Sequence, residues 1–77
     1  MLILSQSRKE IFNLDNCNLF GIDETIYITE KANLYDGRAS VLAIYSSSKE
    51  VESVLLDILT KQTSYYIMPD KEENNEF

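Results

Sequence analysis

Few side chains in this sequence are equipped for chemistry, and they are scattered. There is no histidine, one cysteine, Cys17, and one serine run, Ser46-Ser47-Ser48. Without imidazole a serine nucleophile loses its usual base, and Lys49, on an exposed first helical turn, is not the desolvated lysine that alternative serine chemistry needs. The serines are therefore read as helix-capping residues. A reactive thiol needs a pKa lowered by a helix N-terminus, a cation or a metal. A strand position supplies none of these, so Cys17 is read as a buried structural residue. Asp23, Glu24 and Glu30 are hard oxygen donors around one strand, but the segment lacks the glycine and the alternating oxygen ligands of a dedicated calcium loop. Structural zinc needs four Cys or His ligands, and the two glycines, Gly21 and Gly37, do not precede a helix at phosphate-loop spacing. The expectation is a chain with no catalytic residue, no metal and no cofactor, and hence not an enzyme.

The elements that would carry any other function follow from pattern. Leu2-Ile3-Leu4 and Glu10 to Leu14 are two apolar runs joined by a polar link, read as a first hairpin. Asp15-Asn16 marks a turn, and Cys17 to Ile22 a third strand, in which Gly21 predicts a bulge or the close approach of another side chain. Asp23-Glu24 breaks to a fourth strand, Thr25 to Thr29, rich in β-branched and aromatic residues. Glu30 to Arg38 is read as a connection. Ala39 to Tyr45 is a fifth strand, with Leu42 and Ile44 on one face and Val41, Ala43 and Tyr45 on the other. Ser47-Ser48-Lys49-Glu50 matches a capping box and opens an amphipathic helix, Ser48 to Gln62. Its apolar stripe is Val51, Val54, Leu55, Ile58 and Leu59, while Leu56 points elsewhere. Ser64 to Met68 is a sixth strand at an edge, ended by Pro69.

These elements predict an α+β domain over residues 1–69: one antiparallel β-sheet of about five to six strands, with a single helix near the C-terminus packed on one face. Residues 70–77 are read as an acidic, mobile tail. Asp70, Glu72, Glu73 and Glu76 against Lys71 give it −3 of the chain's net charge of −6, which is the balance of 13 acidic and 7 basic residues. That excess argues against a phosphate-backbone footprint, so no nucleic-acid partner is expected. The apolar opening, Met1 to Leu4, is too short for a signal-peptide core and no apolar run is long enough to span a bilayer. The expected location is the cytoplasm, with no membrane partner.

Several phrases in order give the whole chain a resemblance: Met1-Leu2-Ile3-Leu4-Ser5-Gln6, Asn13-Leu14-Asp15-Asn16, Ile22-Asp23-Glu24 before Ile26-Tyr27, Val41 to Ser47, and Tyr65-Tyr66-Ile67-Met68-Pro69 before an acidic end. In this the chain resembles an uncharacterised family of small proteins of bacteria, their phages and other mobile elements. The resemblance implies the same α+β architecture and a phage-like origin, with no established activity. Family members tend to have a compact turn between the fourth and fifth strands, and the Glu30 to Arg38 connection departs from this.

A chain of 77 residues buries only about 60–65% of the surface its unfolded form exposes. With one cysteine and no zinc site, the remaining support for so small a core is association. Two strands are apolar on both faces, and one helix covers one face of a sheet. The expected function is therefore a non-enzymatic protein-interaction or homo-oligomeric accessory module. Tyr27, Tyr45, Leu56, Tyr65 and Tyr66 are the candidate interface residues, since tyrosine suits positions with one apolar and one wet side. The alternative is a small-molecule or peptide-binding domain, with a pocket between helix and sheet lined by Tyr27, Tyr45 or Phe20.

Overall fold

The computed structural model describes residues 1–31 and 38–71. The chain runs β1 (Leu2–Leu4), β2 (Ile11–Asn13), a 3₁₀ turn (Leu14–Asn16), β3 (Cys17–Ile22), β4 (Thr25–Glu30), β5 (Ser40–Ile44), α1 (Ser48–Thr60) and β6 (Tyr65–Ile67). It is an α+β protein, with six strands and one α-helix among the described residues. The strands do not form one antiparallel sheet, as the pattern predicts. They form two sheets of three, ordered β2-β1-β6 and β3-β4-β5. The second is antiparallel throughout, but β6 lies parallel to β1, Leu2 opposite Tyr65 and Leu4 opposite Ile67. The helix lies mid-chain between β5 and β6 and carries the chain from the second sheet back to the first, so the parallel strands β1 and β6 are joined through all the intervening elements. The tail at 70–77 lies, from 72 onward, outside the described residues, and so does most of the Glu30 to Arg38 connection.

Local chemistry sets most boundaries. Asn13 Oδ1 accepts from the Asp15 amide at 3.1 Å, and the Leu14 amide donates to the Met1 carbonyl, turning β2 through the 3₁₀ turn into β3. Ser47 caps α1, its hydroxyl accepting from the Glu50 amide at 3.2 Å, while the Glu50 carboxylate reaches back to the Ser46 amide at 3.1 Å. The box is thus reciprocal, displaced by one residue from its usual partner. The helix ends at Thr60, earlier than its pattern predicts.

One apolar cluster joins both sheets and the helix. Ile3, Tyr66 and Met68 come from the first sheet, Cys17, Ile26, Ile28, Leu42 and Ala43 from the second, Tyr45 from the link into α1, and Val51, Val54 and Ile58 from α1. Two sequence readings are corrected here. Leu59 is 79% exposed. At about 100° per residue it stands roughly 80° from Val51, past the edge of the stripe that Val54, Ile58 and Leu55 define. On β5, Leu42 and Ala43 are both buried, whereas Val41 and Ile44 face out. The cause is a register shift: Ile26 pairs with Ala43 but Tyr27 with Val41, leaving Leu42 unopposed, so alternation breaks at that bulge.

Gly21 owes its place to close approach. A Cβ there would lie 2.6 Å from Val51 Cγ1 and 3.4 Å from Leu55 Cδ1, so the missing side chain is what lets α1 settle on β3. Gly21→Ala is expected to destabilise the fold by ~1–3 kcal/mol through overpacking, read as a lower urea midpoint. Combining it with Val51→Ala should cost less than the sum of the two single changes. Additive losses would show that the helix does not bear on Gly21.

Candidate functional site

The titratable and nucleophilic side chains do not gather. Asp23 and Glu24 form the turn before β4 and Glu30 ends that strand, so the strand's length separates the three carboxylates. Cys17 is buried at the start of β3. Burial pushes its thiol upward, the Glu30 charge adds to this and Lys31 opposes it, so the thiolate is disfavoured. Among the described residues no group of three or more His, Cys, Asp or Glu could hold a metal ion. No helix among them is long and apolar enough to cross a membrane.

The candidate interface residues divide. Tyr45 is 1% exposed and Tyr66 is buried beside it in the core, so neither ring is presented at the surface. Tyr45 donates to the Pro69 carbonyl at 2.8 Å, and Tyr66 donates to Asp57 Oδ2 at 2.6 Å. Tyr27 is half-buried on the outer face of the second sheet, stacked on Phe20 with ring centroids 5.4 Å apart. Tyr65 and Leu56 are exposed. A groove of about 600 Å³ lies between the end of α1 and the free side of β6, lined by Asp57, Lys61, Thr63 to Ile67 and Pro69. Among the described residues, Tyr27, Tyr45 and Phe20 do not line this groove that the end of the helix does form.

What the molecule does present is two apolar sheet faces turned away from the shared core. On the first sheet the pairing aligns Asn13, Leu2 and Tyr65 in one row and Ile11, Leu4 and Ile67 in the next. On the second it aligns Phe20, Tyr27 and Val41, then Ile22, Thr25 and Ile44. Neither set includes a charged side chain. Ile11, Ile22, Val41, Ile44 and Ile67 carry no sequence feature that marks them as exposed. Only the strand pairing and the β5 bulge put them outside.

A polar junction holds the two sheets. The Gln6 amide donates to the Leu42 carbonyl at 3.0 Å, and its carboxamide bonds Ile44 twice, accepting from the amide at 2.9 Å and donating to the carbonyl at 3.0 Å. Gln6 Nε2 also reaches the Pro69 carbonyl at 3.3 Å, and Arg8, held at a φ of 67°, donates to the Met68 carbonyl at 2.7 Å and pairs with Asp70 at 3.2 Å. No family model, curated protein or solved structure matches this chain.

The buried tyrosines make stability sensitive to alkali. Burial pushes the Tyr45 phenol up to about 12, with the Glu50 and Asp70 charges adding and Arg8 opposing. Burial, the bond to Asp57 and that carboxylate's charge also push Tyr66 upward. In the unfolded chain each phenol ionises near its ordinary value of 10.0. The folded state favours the neutral forms, so this stability is fully present below pH 10 and is lost as pH rises from there towards the folded values. The loss is up to ~1.4 kcal/mol per pH unit for each tyrosine. Urea midpoints are expected to fall between pH 10 and about 12, and Tyr45→Phe should fall less steeply over that window. Equal slopes would show that Tyr45 ionises as freely in the folded chain as in the unfolded one.

Proposed function

We propose that this chain is a non-enzymatic interaction module, an accessory subunit that works while held against other protein. The observation that carries the reading is the pair of apolar outer faces. Scattered apolar residues are normal on a protein surface; contiguous uncharged rows are what mark a contact. On the first sheet Leu2, Ile11, Tyr65 and Ile67 are each about half exposed or more, at 49, 68, 64 and 50%. They lie in adjacent rows across β2, β1 and β6, and a contiguous apolar surface of that kind marks an interaction site. The second sheet offers Phe20, Ile22, Val41 and Ile44 in the same way. Among the described residues the two sheets and the thirteen-residue helix share one core, and none of their elements is packed on either outer face.

The rest of the reading follows from charge and from the resemblance to small phage and mobile-element proteins. A net charge of −6 disfavours nucleic acid, and the cytoplasm is the fitting location for a chain whose one thiol is buried. The exposed partner is protein, either a second copy or a larger assembly.

Single charges placed on each face test this. Ile11→Lys and Ile22→Lys replace exposed residues, so each should leave the unfolding free energy unchanged within about 0.5 kcal/mol. At least one of them is expected to abolish binding by the full-length chain, followed by sedimentation for self-association and by capture of a defined host protein for hetero-association. Wild-type and both variants behaving identically in every binding measurement would sink the proposal.

A further inference from the structure

We infer that two copies of this chain join through the free edges of β6, paired antiparallel about a two-fold axis at Tyr66. The parallel ladder fixes which backbone groups are available. The Leu2 amide bonds the Ser64 carbonyl at 2.9 Å and the Met68 amide bonds the Leu4 carbonyl at 3.0 Å. With Leu2 opposite Tyr65 and Leu4 opposite Ile67, Tyr66 therefore turns its amide and carbonyl towards β1. Tyr65 and Ile67 turn theirs away. Among the described residues one group reaches that outward row: Thr63 Oγ1, which donates to the Tyr65 carbonyl at 2.7 Å and leaves that oxygen a second lone pair.

This spacing is self-complementary. In an antiparallel pair centred on Tyr66, Tyr65 lies opposite Ile67 of the second copy and Ile67 opposite its Tyr65. Both are positions at which two residues exchange amide and carbonyl bonds. Four hydrogen bonds close the pair. Tyr65 and Ile67 share the outer face, so each tyrosine ring meets an isoleucine across the axis, a favourable cross-strand pair. The groove of about 600 Å³ beside β6 gives the incoming strand its space. Its two charged side chains, Asp57 and Lys61, are of opposite sign, so the two-fold brings no net like charge together.

The strand's length explains why a second copy is the occupant. β6 has three residues and Pro69 follows closely, so the row holds only two outward residues. A long peptide gains nothing beyond them, whereas an isologous pair uses each outward group of both copies and closes without leading to a fibre. The product is a continuous six-stranded sheet, in which the apolar outer faces of the two first sheets merge into one.

Sedimentation of the full chain across a range of concentrations, together with amide exchange at its ends, tests the pairing. A dimer is expected, in which the Tyr65 and Ile67 amides become protected as concentration rises while those of β2 do not. Ile67→Pro removes an outward donor at a position where an edge tolerates proline. It should weaken association about ten-fold or more, while Ile11→Lys, on the far strand of the same sheet, leaves it intact. If Ile67→Pro fails to fold by circular dichroism, the wild-type exchange data decide alone. A monomer at every concentration, or a dimer with unprotected Tyr65 and Ile67 amides, overturns the inference. A dimer lost in Ile11→Lys or Ile22→Lys but kept in Ile67→Pro also overturns it and leaves the proposed function standing. Loss in Ile67→Pro with neither face variant altering any binding supports the pairing and removes the proposed function.

Discussion

Two three-stranded sheets share a core only where something holds their edges together, and here the Gln6 carboxamide does so at the outer edge of β5. A primary amide offers the same donor and acceptor as a peptide group, so Gln6 meets the Ile44 amide and carbonyl as a neighbouring strand would. Its own backbone amide continues the contact to Leu42. Edge groups of β5 that would otherwise wait for a partner are thereby satisfied within the chain. The same side chain touches the Pro69 carbonyl, which Tyr45 also reaches. One residue thus gathers the end of β1, the edge of β5 and the exit of β6. Arg8 reinforces the junction through Met68 and Asp70, and its left-handed backbone is the local strain that the tight turn requires.

From that junction the rest of the architecture follows. With the inner faces of both sheets turned to one core, a single helix suffices to close it, because α1 covers the second sheet and the first sheet closes the remaining side with Ile3, Tyr66 and Met68. Polar groups inside are satisfied as well. Ser5, 1% exposed, meets the Ser7 hydroxyl at 2.9 Å and accepts from the Glu10 amide. Among the described residues no buried side-chain polar atom is left without a partner. The economy has a consequence: all the apolar residues that β-strands need for pairing, but that the core cannot hold, stand outside.

How much of this was legible depended on how local the cause is. Strand positions, the turn at Asp15-Asn16, the Ser47 cap and the close approach at Gly21 are written within a few residues, and each is found where the sequence predicts it. The parallel pairing of β6 with β1 joins opposite ends of the chain, and its three-residue strands carry no mark of their partner or direction. The β5 bulge is set by pairing with β4, so Leu42, Ala43 and Ile44 read as clean alternation until the register is known. Gln6 is the least legible of all. In a polar link it reads as turn filling, because a side chain acting as backbone leaves no periodic trace.

The same logic divides the candidate interface residues between interior and surface. Tyrosine on a strand marks a place where an apolar ring and a polar tip are both accommodated, and the interior supplies such places whenever a carbonyl or carboxylate lies within reach. Tyr45 finds the Pro69 carbonyl and Tyr66 finds Asp57, so both are core residues with satisfied hydroxyls. Tyr65 has the same composition around it but opposite parity on β6, and parity alone sends it out. The polar ends of Tyr45 and Tyr66 therefore hold β6 and the segment after it against the core. That leaves Tyr65 and Ile67 facing outward on a strand that is pinned from behind, and a pinned edge costs less conformational entropy to pair than a loose one.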